Sequence, residues 1–158
     1  MHVAVLTVSD SVSRGERQDR SGPEVAERCR ALGWEVVSCE AVSDDRDALE
    51  KRLTAFADTS SVDLILTTGG TGIGPRDSTP EATAAICQRI LPGLGELMRA
   101  EGREKNPRAV LSRAVAGVCN RALIVNLPGS PRGAVESLDA VADLLAHAVE
   151  VLRGASHD

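Results

Sequence analysis

A chain of 158 residues, 42% hydrophobic and 26% charged, fits one soluble globular domain, and a domain of that size buries about 70% of its unfolded surface without metal or disulfide staples. Its net charge of −5 and its two aromatics, Trp34 and Phe56, argue against nucleic-acid binding, which needs phosphate-neutralising cations or a stacking platform. No apolar run approaches the ~20 residues that span a bilayer, so a membrane role is not expected either.

In chain order, His2 to Val8 reads as a buried first strand of a parallel sheet. The N-terminal run is too short for a signal peptide, and a cytoplasmic location is the expectation. The strand ends at Ser9-Asp10-Ser11, and ligands of open α/β sheets bind beyond the carboxyl ends of strands. A polar loop from Ser13 to Ser21, a solvated connector when read by itself, leads to a helix from Gly22-Pro23 to about Leu32, stopped by Gly33. Glu35 to Val42 is a second strand, and Ser43 is placed to cap a helix carrying Leu49, Leu53 and Phe56 at helical spacing. Asp44 and Asp45 fall in its first turn, where acids stabilise the helix dipole by about 0.3–1 kcal/mol.

Asp63 to Thr67 reads as a third buried strand running into Thr68-Gly69-Gly70-Thr71-Gly72-Ile73-Gly74 and then Arg76-Asp77-Ser78-Thr79-Pro80-Glu81. Glycines let main-chain N–H groups approach an anion closely. Thr79 can cap the next helix, with Pro80 in its first turn. Arg76 offers a cation for phosphate, Asp77 a carboxylate for Mg²⁺, and Ser78 and Thr79 hydroxyls. No lysine follows the last glycine, so this is not a Walker loop, and the even spacing of Gly70, Gly72 and Gly74 departs from the dinucleotide fingerprint.

A helix is expected from Pro80 to about Arg89, a break at Leu91 to Gly95, and a second helix from Glu96 to about Glu104. Ala114 to Cys119 and Ala122 to Leu127, joined by Asn120-Arg121, read as a tight hairpin, which makes the sheet mixed. Pro128-Gly129-Ser130 repeats the strand–turn–helix pattern, with Ser130 as the cap of a last helix from Arg132 to Leu152; a plain capping turn is the alternative to a ligand loop. His147 reads as structural, His2 and His157 have no catalytic partner in view, and Gly154 to Asp158 should fray. Cys29, Cys39, Cys87 and Cys119, far apart, read as reduced core thiols.

Thr67-Thr68-Gly69-Gly70-Thr71-Gly72 followed by Arg76-Asp77 and Thr79-Pro80-Glu81-Ala82-Thr83 resembles the signature of the molybdenum-cofactor biosynthesis family. That family includes the bacterial MogA and MoaB proteins and the trimeric domain of gephyrin. Ser9-Asp10-Ser11, Asp19 with Ser21-Gly22-Pro23, Asp44-Asp45, Leu111-Ser112-Arg113 and Asn126-Leu127-Pro128-Gly129-Ser130-Pro131 follow in the family's order. Ser78 departs from the family's usual Val, a change expected to alter packing more than chemistry.

The resemblance implies a three-layer α/β/α domain over residues 1–158, with a mostly parallel mixed sheet and a hairpin. It implies molybdopterin adenylyltransferase chemistry, in which the pterin's terminal phosphate attacks ATP and pyrophosphate leaves. Catalytic carboxylates carry over to Asp44 and Asp77, which would also hold Mg²⁺ directly or through its waters. Nucleotide and pterin contacts carry over to Ser9, Asp10, Ser11, Asp19, Ser21, Gly22, Thr68, Gly69, Gly70, Thr71, Gly72, Arg76, Ser78, Pro128, Gly129 and Ser130. A homotrimer is implied, with a hexamer as the alternative, and a molybdenum insertase is a candidate partner. The competing function is a molybdopterin-binding or scaffold protein without transferase activity.

Overall fold

The structure, a computed structural model, describes residues 1–155; the expectations for His157 and for the chain's last three positions lie outside them. Six strands form one sheet: β1 (His2–Val8), β2 (Glu35–Val42), β3 (Leu64–Thr68), β4 (Arg89–Ile90), β5 (Ala116–Cys119) and β6 (Ala122–Leu127). The spatial order is β2-β1-β3-β6-β5-β4. β2, β1, β3 and β6 run parallel, whereas β5 and β4 are antiparallel to their neighbours, so the sheet is mixed as expected.

The sheet's two faces follow from side-chain alternation along fully buried strands. Val3 and Val5 of β1, Leu64 and Leu66 of β3, and Leu123 and Val125 of β6 face one core. Helices α2 (Ser21–Ala31), α5 (Pro92–Lys105) and α6 (Pro131–Leu152) supply its other side. Ala4, Leu6, Ile65 and Ile124 face a second core against α3 (Arg46–Ala57) and α4 (Thr79–Ile86). The result is three layers, with Leu138 and Leu145 of α6 fully buried, each contributing about 1.5–3 kcal/mol relative to exposure. A short helix, α1 (Asp10–Ser13), follows β1. Among the described residues no helix is long and apolar enough to cross a membrane.

Several local expectations are corrected. The cap of α3 is Asp45, whose carboxylate accepts from Ala48 N at 2.9 Å; Ser43 Oγ instead accepts from Asp45 N at 3.2 Å, so Asp44 and Asp45 precede the helix. Helix α4 stops at Ile86, short of Arg89, because the following residues are drawn to the sheet edge: Gln88 N donates to Val118 O at 2.9 Å and Leu91 N to Ala116 O at 2.8 Å. Gly117 permits that approach, since a Cβ there would lie 2.8 Å from Arg89 O. Helix α5 starts at Pro92 and not at Glu96, and its Gly95 is buried where a Cβ would lie 2.7 Å from Ala114 O. Proline tolerates a first helical turn because it has no N–H to leave unpaired.

Of the cysteines, Cys29 and Cys119 are buried and Cys87 partly so, but Cys39 is exposed on the edge strand β2 and is not a core thiol. His147, read as structural, is exposed on α6.

Candidate active site

β1, β3 and β6 end on one edge of the sheet, and each passes at once into a turn: Ser9, Gly69 and Pro128. The turns are tied together. Gly69 N donates to Leu127 O at 3.2 Å, Thr68 Oγ1 to Pro128 O at 2.7 Å, and Ser9 N to Val42 O at 2.9 Å. A Cβ on Gly129 would lie 3.3 Å from Gly69 Cα, so the third turn rests on the second.

Within the glycine loop the glycines divide into two pairs. Gly69 and Gly70 have φ of 107° and 68°, a region that favours glycine, and a Cβ on Gly69 would lie 2.5 Å from Val8 O. Gly72 and Gly74 are not in that region. A Cβ on either would meet Asp77 Oδ2, at 2.8 and 2.9 Å, and Gly74 N donates to the same oxygen at 2.8 Å. The second pair therefore makes room for a carboxylate. Thr79 does not cap α4 with its side chain; its hydroxyl donates to Gly69 O at 2.9 Å, closing the loop's base.

Asp10 and Asp44 exchange hydrogen bonds. Asp10 N donates to Asp44 Oδ2 at 3.0 Å and Asp44 N to Asp10 Oδ1 at 2.9 Å. Arg76 donates to Asp10 Oδ2 from Nη2 at 2.7 Å and from Nε at 3.1 Å. The Asp44 backbone N–H, and after burial's opposing effect the Arg76 guanidinium, hold the Asp10 carboxyl below its usual value. Ser78 Oγ donates to Asp44 O at 3.3 Å, so Ser78 makes a polar tie between the loops that carry Asp44 and Asp77. Asp44 and Asp77 each use Oδ2 for a backbone N–H, while Oδ1 takes no hydrogen bond among the described residues.

The remaining expected residues make local hydrogen bonds at their own strand ends and helix starts. Ser9 caps α1 through Val12 N at 3.3 Å, with Ser11 Oγ also 3.3 Å from its hydroxyl. Asp19 accepts from Thr7 Oγ1 at 2.7 Å and from Gly22 N at 3.1 Å, anchoring the buried start of α2 at Ser21 and Gly22. Thr71 is buried, and its carbonyl accepts from Arg113 N at 2.8 Å. Ser130 caps α6 by accepting from Gly133 N at 3.1 Å.

Pro128 and Ser130 also line a cleft of about 460 Å³ between α5, the 3₁₀ turn Pro107–Leu111 and α6. Arg99, Lys105, Arg108 and Arg132 bring four cations to it against Glu136. Sequence reasoning did not place this cleft, because its cations come from segments about 30 residues apart that only the packing of α5 on α6 unites. It also missed two organisers. Buried Asn126 donates to Thr67 Oγ1 at 3.0 Å and Thr83 Oγ1 at 2.9 Å and accepts from Val115 N at 3.2 Å. A lone amide in the apolar run Ala122 to Leu127 was the available signal. Arg113, noted only as part of a motif, reaches the glycine loop itself.

A strand-end crevice with a glycine loop, two carboxylates on adjoining turns and a basic cleft beside them defines the class as an α/β domain whose polar groups gather beyond the carboxyl ends of its parallel strands. The chain belongs to the family described as "Probable molybdopterin binding domain", whose model matches residues 4–147. It is 43% identical over 156 residues to a molybdopterin adenylyltransferase of Helicobacter pylori strain J99, covering 98% of this chain and 89% of the relative. It is 37% identical over 145 residues to the molybdopterin adenylyltransferase of Escherichia coli K12, covering 90% of this chain and 74% of the relative. A crystal structure of the molybdopterin biosynthesis enzyme MoaB from Thermus thermophilus superposes with a TM-score of 0.91 at 50% identity, covering 99% of each chain.

Proposed function

We propose that residues 1–158 act as one molybdopterin adenylyltransferase domain, transferring the adenylyl group of ATP to the terminal phosphate of molybdopterin. The observation that carries this reading is the adjacency, at one sheet edge, of the glycine loop of β3 and the cleft lined by four cations, joined through Pro128 to Ser130. One suits nucleotide phosphates. The other, partly apolar and rich in cations, suits a phosphorylated ring. Similarity to molybdopterin adenylyltransferases over nearly the whole chain supports the same assignment.

The chemistry asks little of the side chains beyond position and charge. The pterin phosphate is already anionic at neutral pH, so its oxygen attacks the α-phosphorus without a general base. The bond from that phosphorus to the α–β bridging oxygen breaks, and pyrophosphate departs with the electron pair. Loop amides from Gly70 to Gly72 bind phosphate oxygens, the Gly69 N–H being held by Leu127 O, and Arg76, on the rim through Asp10, neutralises charge. Among the described residues no group of three or more His, Cys, Asp or Glu side chains forms a ready metal site. Asp44 and Asp77 nevertheless fit Mg²⁺, which takes one or two carboxylates together with substrate phosphates and water. Bound there, Mg²⁺ would supply charge neutralisation for the phosphates. The reading carries a homotrimer, with a hexamer as the alternative, and a molybdenum insertase as the recipient of the product.

Incubation with molybdopterin, ATP and Mg²⁺, following pyrophosphate and adenylylated pterin, tests the proposal. The wild type should form product. Asp77→Asn should lose turnover by about 10²-fold or more while binding pterin normally. Tight pterin binding without product from the wild type would make the chain a binding protein instead.

A further inference from the structure

Arg113 lies between the two halves of the crevice. Ser112 and Ala114, its chain neighbours, line the basic cleft, while its own side chain turns the other way, into the glycine loop. There Nε donates to Gly72 O at 2.7 Å and Nη2 to Asp77 O at 2.8 Å, while the backbone N donates to Thr71 O at 2.8 Å. Nη1 is paired with Glu81 in the first turn of α4. Burial pushes the Glu81 carboxyl up, but the Arg113 contact, the Glu81 backbone N–H and the Arg46 charge together leave it below its ordinary value. One residue thus grips both ends of the loop segment 71–77 and the helix that follows it.

The grip is on main-chain carbonyls, which no change in loop side chains would replace. It fixes the backbone at Asp77, whose carboxylate is a candidate Mg²⁺ ligand, and at Gly72, whose lack of a side chain makes room for that carboxylate. A planar guanidinium can satisfy several acceptors in fixed directions at once, whereas an ammonium is a point charge on a flexible stem. The Arg113 side chain bonds two loop carbonyls and Glu81, and not the carboxylate of Asp77 or Asp44. We propose that Arg113 is a positioning residue of the transferase, holding loop 71–77 closed so that Asp77 stands at a fixed place relative to the basic cleft. This rests on the transferase reading of the site.

The consequence is a split between binding and turnover. The cleft keeps its cations without Arg113, so pterin should bind normally, whereas a shift of the Asp77 backbone by about 1 Å should cost about 10²-fold in kcat. Arg113→Lys and Arg113→Ala are compared with wild type by pterin affinity, kcat and KM for ATP, and amide hydrogen exchange across residues 70–77. Arg113→Lys should lose about 10²-fold in kcat and less than about threefold in pterin affinity, with faster exchange in 70–77 and unchanged exchange in α6. Added guanidinium should restore at least about tenfold of the loss in Arg113→Ala; if that variant does not fold, the lysine variant carries the test. Near wild-type kcat in Arg113→Lys, unaltered exchange in 70–77, or pterin affinity falling in step with kcat would overturn the proposal. Failure of the wild type to form product would overturn the transferase reading, and the exchange comparison would still read the grip of Arg113 on the loop.

Discussion

Gly69 and Gly74 stand five residues apart in one loop, yet their replacement by alanine should have opposite consequences. At Gly69 the backbone has φ of 107°, and a Cβ would lie 2.5 Å from Val8 O, a main-chain atom held within the parallel sheet. Left-handed strain costs about 1–2 kcal/mol, and pressing a methyl against immobile backbone about 1–3 more. Gly69→Ala should therefore lose about 2–5 kcal/mol of a total of roughly 5–15, lowering Tm by about 4–20 °C. At Gly74, φ is not positive and the nearest atom to a Cβ is Asp77 Oδ2 at 2.9 Å, the movable tip of a side chain. Gly74→Ala should change stability by less than about 1 kcal/mol, because the carboxylate can rotate and the unfolded chain is stiffened. The rotation breaks the Gly74 N to Asp77 Oδ2 bond of 2.8 Å, so turnover should fall at least about tenfold. Urea melts at constant m-value, read beside product formation, separate the two variants. A Gly69→Ala protein within about 0.5 kcal/mol of wild type, or a Gly74→Ala protein equally destabilised, would refute the division of the loop into backbone glycines and carboxylate glycines.

Asn126→Ala removes the partner of Thr67, Thr83 and Val115 N inside the core, and should cost about 2–4 kcal/mol; a loss under about 1 kcal/mol in denaturant melts would mean that these groups find other partners. Asp63 is raised by burial but lowered further by Arg153 and His2, so its folded carboxyl sits below the ordinary value. Such a group gives stability that is present above the unfolded pKa and is lost as pH falls through the folded one. Asp63→Asn should accordingly be less stable than wild type at neutral pH, with the gap closing on acidification below about pH 4; a gap that widens in a pH series of melts contradicts the assignment. Burial pushes the buried Cys29 thiol up to about 12 and desolvation also raises that of Cys39, but Cys39 is open to reagent, so an alkylating reagent followed by peptide mapping should modify Cys39 first and Cys29 only on unfolding.

The strands other than β4, and the glycine loop with Arg76 and Asp77, were legible in the sequence because the signals are local, whereas Asp44 read locally as a helix-dipole acid and was marked out only by the family resemblance. A continuous apolar run such as Leu64 to Leu66 has one good use in an α/β chain, and four glycines leading into Arg76, Asp77 and a helix start leave few alternatives. Local signals misplaced boundaries where tertiary contacts compete: Cys87 to Ile90 leave the helix because β5 offers Gln88 and Leu91 hydrogen-bond partners that a helical pattern cannot announce. Composition likewise could not tell that Gly72 and Gly74 make room for a carboxylate whereas Gly69 and Gly70 bend the chain.

The sequence by itself therefore determined most of the elements, though not all their bounds, and the chemistry available at their ends, through periodicity, turn residues and glycine placement. Tertiary structure decided which of those groups meet. The Asp10–Asp44 exchange spans 34 positions, the Arg113 to Gly72 bond 41, and the Asn126 to Thr67 bond 59. Bonds of that reach depend on strand order and register, which fix distance and direction to a few tenths of an ångström, and residue type alone carries no such information.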